Sequence, residues 1–165
     1  GGSAVLSPGG EIYTNLERGV IDAADWIGPY HDWLMGFPKI AKYLYYPTFA
    51  EPTGVMELMV NKSTFEELPV DLQQIVRFAA RAGNINMLSE FEIKNAEYLK
   101  KLKNETKVQV KEFPDDVVSA FRRYAQEAID EITESDEFSK RVYDSYTAFR
   151  MKINDWAAIT EMLFV

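Results

Sequence analysis

At 165 residues and 18.9 kDa the chain has the size of one ordinary domain. Its 47% hydrophobic and 13% aromatic content, with nine Gly and seven Pro, excludes disordered, collagen-like and low-complexity classes. A net charge of −8 from 18 basic and 26 acidic residues argues against a partner bound mainly through phosphates, so no nucleic acid or anionic lipid is expected. Zero Cys excludes disulfide scaffolds, thiolate metal sites and cysteine nucleophiles. The lone histidine, His31, leaves little for a Ser-His-Asp triad or a His-rich metal site. Nothing approaches the ~20-residue apolar run of a membrane span, and the start Gly1-Gly2-Ser3-Ala4 has neither a signal-peptide nor an initiator character. It suggests the inside of a longer chain or a cloning remnant.

In chain order, Ile12, Leu16 and Val20 share one face of a helix expected over 11–18, with Gly19 as an αL stop. Val20 to Ala24 is an apolar run that predicts a short buried strand ending near Asp25-Trp26. A helix interrupted by Gly36 and Pro38 is expected from Tyr30 to Lys42, then an aromatic strand over Tyr43 to Tyr46. Glu51-Pro52-Thr53-Gly54 reads as a turn and Val55 to Asn61 as a central strand. Ser63-Thr64-Phe65-Glu66 has the form of a capping box opening a short helix that stops before Leu68-Pro69.

From Val70 the pattern is strongly helical, with an apolar stripe from Leu72 through Ile75, Leu88, Phe91, Asn95 and Tyr98 to Leu102. A single helix of that length would be a rod of roughly 50 Å, longer than a small domain is wide. Val108-Gln109-Val110 alternates like a strand. One helix follows Pro114 through Phe121 and Ile132, and a last carries Phe138, Val142, Tyr146, Phe149, Ile153 and Trp156 at spacings of three and four. The Tyr43 to Tyr46 run and the long-helix stripe read as core. Lys94, Lys100, Lys101 and Lys103, diluted by Glu90, Glu92 and Glu97, read as a solvated helix face.

An ordered set of segments carries a family signal. Pro8-Gly9-Gly10-Glu11-Ile12-Tyr13-Thr14 is followed by Glu17-Arg18-Gly19-Val20-Ile21-Asp22-Ala23-Ala24-Asp25-Trp26 and Gly28-Pro29-Tyr30. Then come Ala41-Lys42-Tyr43, Tyr45-Tyr46-Pro47, Glu51-Pro52, Val60-Asn61-Lys62, Leu68-Pro69 and Asp71-Leu72-Gln73, and finally Tyr143-Asp144-Ser145-Tyr146 with Phe149-Arg150. Together these resemble the second half of DctP-type solute-binding subunits of TRAP transporters, over essentially the whole chain.

The resemblance implies a helix-rich α/β fold of the type II periplasmic-binding-protein kind, with residues 1–165 as the C-terminal lobe and helical portion and the N-terminal lobe outside this chain. The arginine that pairs with the ligand carboxylate in the family would precede Gly1. The similarity is greatest to the branch that binds 2-oxo and 2-hydroxy monocarboxylates through a metal ion. Carried over residue by residue, Asp25 and Glu51 would supply carboxylate oxygens and Trp26 its backbone carbonyl to Na⁺ or Ca²⁺. Asp25 stands where relatives usually have Glu. Hard cations prefer such oxygen donors. The Trp26 ring would wall the small organic acid, and Tyr30 would donate its hydroxyl to it.

The implied role is a periplasmic receptor, not an enzyme, that delivers the acid to a TRAP membrane permease. Without the resemblance, Asp25 and Glu51 read as surface turn residues, Trp26 as core, and Tyr30 equally as a buried tyrosine bonded to backbone. For His31, ligand contact, pH sensitivity and surface exposure stay open. The alternative class is an acidic, helical protein-interaction module without a ligand. Self-association is expected of the chain if apolar surface meant for a first lobe is left exposed.

Overall fold

The computed structural model describes residues 2–47 and 54–160. It consists of two compact units, Gly1–Phe113 and Pro114–Val165.

The first unit opens with α1 (Gly9–Glu17), which buries Ile12 and ends where Gly19 turns left-handed at φ 69°. Gly19 N–H donates to Leu16 O and Val20 N–H to Asn15 O, the paired bonds of a Schellman stop. These bonds draw Val20 into the helix end, and the expected strand over Val20 to Ala24 does not form: the segment is irregular and largely exposed. After it, α2 (Pro29–Leu34) begins with Pro at its first position and stops at Gly36, φ 79°, before a 3₁₀ turn over Phe37–Lys39 that buries Phe37. Gly36 and Pro38 thus break the expected longer helix in two.

Strand β1 (Tyr43–Tyr46) forms as expected. The Val55 to Asn61 strand does not: residues 54–61 are irregular and exposed. The run has the composition of a strand, but among the described residues no neighbouring strand takes up its backbone hydrogen bonds. Helix α3 (Lys62–Glu66) is capped two residues earlier than expected, by Asn61, whose side chain accepts from Thr64 N–H at 3.2 Å. Asn61 offers a carbonyl oxygen at the cap, and Ser63 supports it by donating its hydroxyl to the same Oδ1 at 2.7 Å.

The expected rod is α4 (Val70–Glu105), 36 residues without a break and about 54 Å long. Thr106 ends it, its hydroxyl donating to Leu102 O at 2.7 Å. Strand β2 (Gln109–Glu112) then pairs in parallel with β1, Leu44 opposite Val110, so β1, α4 and β2 make a βαβ crossover.

The core expectation for the aromatic run fails. Tyr43, Tyr45 and Tyr46 are exposed, and their rings lie along the sheet surface, Tyr45 stacked on Phe113 at 4.9 Å and Tyr43 under Lys111 at 4.2 Å. The stripe of α4 is core only at its C-terminal end: Leu102 is 2% exposed, whereas Leu72, Ile75, Phe78, Ile85 and Leu88 face outward. Helix α2 lies against α4 at Phe91, Asn95 and Tyr98, one to three turns before Leu102. The lysine reading stands, with Lys94 paired to Glu97 at 3.6 Å and Lys101 over the Tyr98 ring at 4.1 Å.

The second unit is a helical hairpin of α5 (Asp115–Ser135) and α6 (Glu137–Ala157). Asp136 joins them and caps α6 by accepting from Ser139 N–H at 2.6 Å. Hydrogen bonds from Ser139 hold the Asp136 carboxyl below its ordinary value. The Gln126 amide donates to the Tyr143 hydroxyl at 3.2 Å across the hairpin. Among the described residues, no helix is long and apolar enough to cross a membrane.

Candidate functional site

Of the residues singled out by sequence, Asp25 and Trp26 lie on the loop before α2 and Tyr30 is the second residue of that helix. Asp25 is exposed, Trp26 and Tyr30 are half-buried, and Glu51 lies outside the described residues.

Trp26 is wedged between two elements. Its ring meets Phe37 edge-on, with centroids 6.3 Å apart, and the far end of the indole lies over Gly9, where a Cβ would come within 3.0 Å. The Gly-Gly-Glu segment at the start of α1 therefore has a steric reason for its first glycine: a side chain there would press on the Trp26 ring and push it from its place. The indole Nε1 is buried without a hydrogen-bond partner, so the ring is held by packing and its polar edge is unspent.

Tyr30 and the rest of α2 sit on one face of α4. Phe91 lies 4.6 Å from the His31 ring, and Tyr98 lies 5.0 Å from Tyr30 and 5.8 Å from Trp33. Leu102 completes a line at spacings of four, three and four. The remaining member of that line is Asn95, whose Oδ1 accepts from Tyr30 N–H at 3.1 Å. His31 is part of this aromatic contact, 4.8 Å from Tyr30, with Nδ1 buried and unpaired. The His31 side chain is half-buried, so its ring packs against Phe91 and Tyr30 while part of the residue still meets solvent.

Electrostatically the loop is acidic. Asp32, one turn into α2, has its carboxyl raised from 3.8 to about 6, by burial first and by the negative charge of Asp25 second. Among the described residues, no group of three or more His, Cys, Asp or Glu side chains is placed to hold a metal ion. The described donors are one exposed carboxylate, Asp25, and the backbone carbonyls beside it, all hard oxygens suited to Na⁺ or Ca²⁺.

Sequence reasoning missed Asn95, Asp32 and the Gly9 contact. Asn95 left a trace as the one polar residue within an apolar line of the long helix. Asp32 and Gly9 left none, since their roles arise from contacts distant in sequence.

Residues 1–136 match the model of the family described as bacterial extracellular solute-binding protein, family 7, DctP. A monocarboxylate 2-oxoacid-binding periplasmic protein of Nostoc sp. is 34% identical over 158 residues, covering 95% of this chain and 43% of that protein. The chain is also similar to a crystal structure of a TRAP periplasmic solute-binding protein from Pseudoalteromonas atlantica with bound sodium and pyruvate. There the TM-score is 0.93 at 33% identity, over 99% of this chain and 50% of that one. A TRAP solute-binding protein from Bordetella bronchiseptica, with calcium and picolinate in its active site, matches with a TM-score of 0.89 at 32% identity, over 96% of this chain and 47% of that one. The chain spans about half the length of these relatives. The helix-rich α/β architecture is that of these type II periplasmic-binding-protein-like receptors, and the chain belongs to the DctP family of bacterial extracellular solute-binding proteins.

Proposed function

We propose that this chain is the C-terminal lobe and helical portion of a two-lobed periplasmic receptor that captures a 2-oxo or 2-hydroxy monocarboxylate and delivers it to a TRAP membrane permease. The observation that carries this proposal is the match, over 99% of the chain, to a receptor holding sodium and pyruvate, joined to a loop in which Asp25 is exposed while Trp26 is wedged in place. No covalent chemistry is involved, and the receptor is not an enzyme.

Asp25, Glu51 and the Trp26 carbonyl would hold Na⁺ or Ca²⁺, and the ion, when bound, supplies positive charge to the acid's carboxylate and 2-oxygen. The chain's own residues do the rest. Asp25 is exposed on the loop, available to a cation. The Trp26 ring, fixed against Phe37 and Gly9, presents an apolar wall that excludes water from a small acid. Tyr30 contributes its hydroxyl to the acid.

Closure of two lobes on the acid would present one conformation to the permease. The exposed apolar side chains of α4 and α6 support self-association of the chain when nothing else covers them.

The test is thermal unfolding of the intact protein carrying this chain, with pyruvate, Ca²⁺ or both. The expected result is a rise in melting temperature that requires both. Loss of that rise in Glu51→Ala supports the metal assignment, and an unchanged rise in that variant removes Glu51 from the site.

A further inference from the structure

Helix α2 has a problem at its start. Its first N–H groups have no partner within the helix, its cap residue is Gly28, which has no side chain to offer, and its first residue is Pro29, which has no N–H. The first donor in need of an acceptor is therefore Tyr30 N–H. It is met from 65 residues away by Asn95 Oδ1 at 3.1 Å, so the long helix supplies the cap that the loop lacks.

Gly28 fits this arrangement closely. A Cβ there would come to 3.0 Å of Asn95 Oδ1 and 3.2 Å of Nδ2, so a side chain would push the amide aside, and glycine leaves it room against the backbone. Asn95 is also the one polar member of the line Phe91, Asn95, Tyr98 and Leu102. A polar side chain on an apolar packing face is unfavourable unless its hydrogen bond is made. The loop just before this cap carries Asp25 and Trp26. Trp26 is fixed by packing on one side, and the cap fixes the chain on the other, at Tyr30, five residues after Asp25.

We propose that Asn95 is a positioning residue for acid capture: by capping α2 from α4 it holds the Asp25–Trp26 loop in its binding geometry. This inference rests on the receptor function proposed above. It assigns binding precision to a residue on the long helix that touches neither metal nor acid, as outer-sphere partners do for metal ligands.

The experiment measures pyruvate affinity in the presence of Ca²⁺, by titration calorimetry on the intact protein, for wild type, Asn95→Leu, Asn95→Asp and Gly28→Ala, with melting temperatures recorded alongside. Asn95→Leu keeps the branched shape and removes the acceptor, and its affinity is expected to fall about tenfold or more at temperatures where the variant is fully folded. Asn95→Asp keeps an acceptor oxygen and retains most of the affinity. Gly28→Ala, which displaces the amide from the loop side, falls as Asn95→Leu does and serves if that variant does not fold. Wild-type binding that persists unchanged in Asn95→Leu or Gly28→Ala overturns this inference alone. So does an equal loss in the Asp and Leu variants. Absence of binding by the wild type overturns the receptor reading, and this inference with it.

Discussion

Residues 25–37 and 54–61 are both rich in large apolar side chains, and they end in opposite states. The first segment is tied down: Trp26 to Phe37 and Gly9, His31 to Phe91, Trp33 to Tyr98, and Tyr30 N–H to Asn95. The second, with Val55, Met56, Leu58, Met59 and Val60, is exposed throughout, Met59 to 84%. The same contrast runs along α4, which buries Leu102 at one end and leaves Ile75, Phe78 and Ile85 open at the other. Hydrophobicity becomes a core only where a second element meets it. The candidate site lies where that has happened, which gives a small-molecule loop the rigid backing it needs.

The comparison can be sharpened by truncating a side chain in each region. Leu102→Ala removes a nearly inaccessible side chain and is expected to destabilise the chain by about 3 kcal/mol in urea unfolding. A cost below about 1 kcal/mol would mean that the C-terminal end of α4 is not a packed core.

A second effect is pH-dependent. Because the Asp32 carboxyl is raised to about 6, the folded chain holds that proton more tightly than the unfolded chain. Stability from this group is therefore fully present below about pH 4 and lost as pH rises through about 6. Asp32→Asn removes the loss. Its stability advantage over wild type should grow from about pH 4 to pH 6 and level off above, reaching about 2 kcal/mol once solvent screening of a partly exposed group is allowed for. A pH-independent difference would contradict the burial of Asp32.

The smallest effect is expected in the exposed segment. Met59→Ser should change the unfolding free energy of the chain by no more than about 0.5 kcal/mol. A cost comparable to that of Leu102→Ala would show that residues 54–61 are packed after all and would break the contrast.

The same distinction explains what could be read from the sequence. The length of α4, the Schellman stop at Gly19, the break at Gly36 and the β1 strand follow from local rules, since propensity, glycine conformation and periodicity act over a few residues. The strands expected at Val20 to Ala24 and Val55 to Asn61 failed because a strand needs a neighbour, and local sequence cannot supply one. Asp25 and Trp26 stood out through their ordered motif. Their supports did not: Asn95 reaches Tyr30 across 65 residues, and Gly9 meets Trp26 only because α1 folds beneath the loop.

The central claim is that the tied-down loop is the acid-binding element, and Asp25 is where it is most exposed to a direct test. Calorimetric titration of pyruvate with Ca²⁺ into the intact protein and its Asp25→Ala variant measures this. The account predicts metal-dependent binding by wild type and a loss in the variant exceeding the roughly 10- to 100-fold cost of outer-sphere changes. Equal affinity in the two proteins, or binding indifferent to the metal, would contradict it.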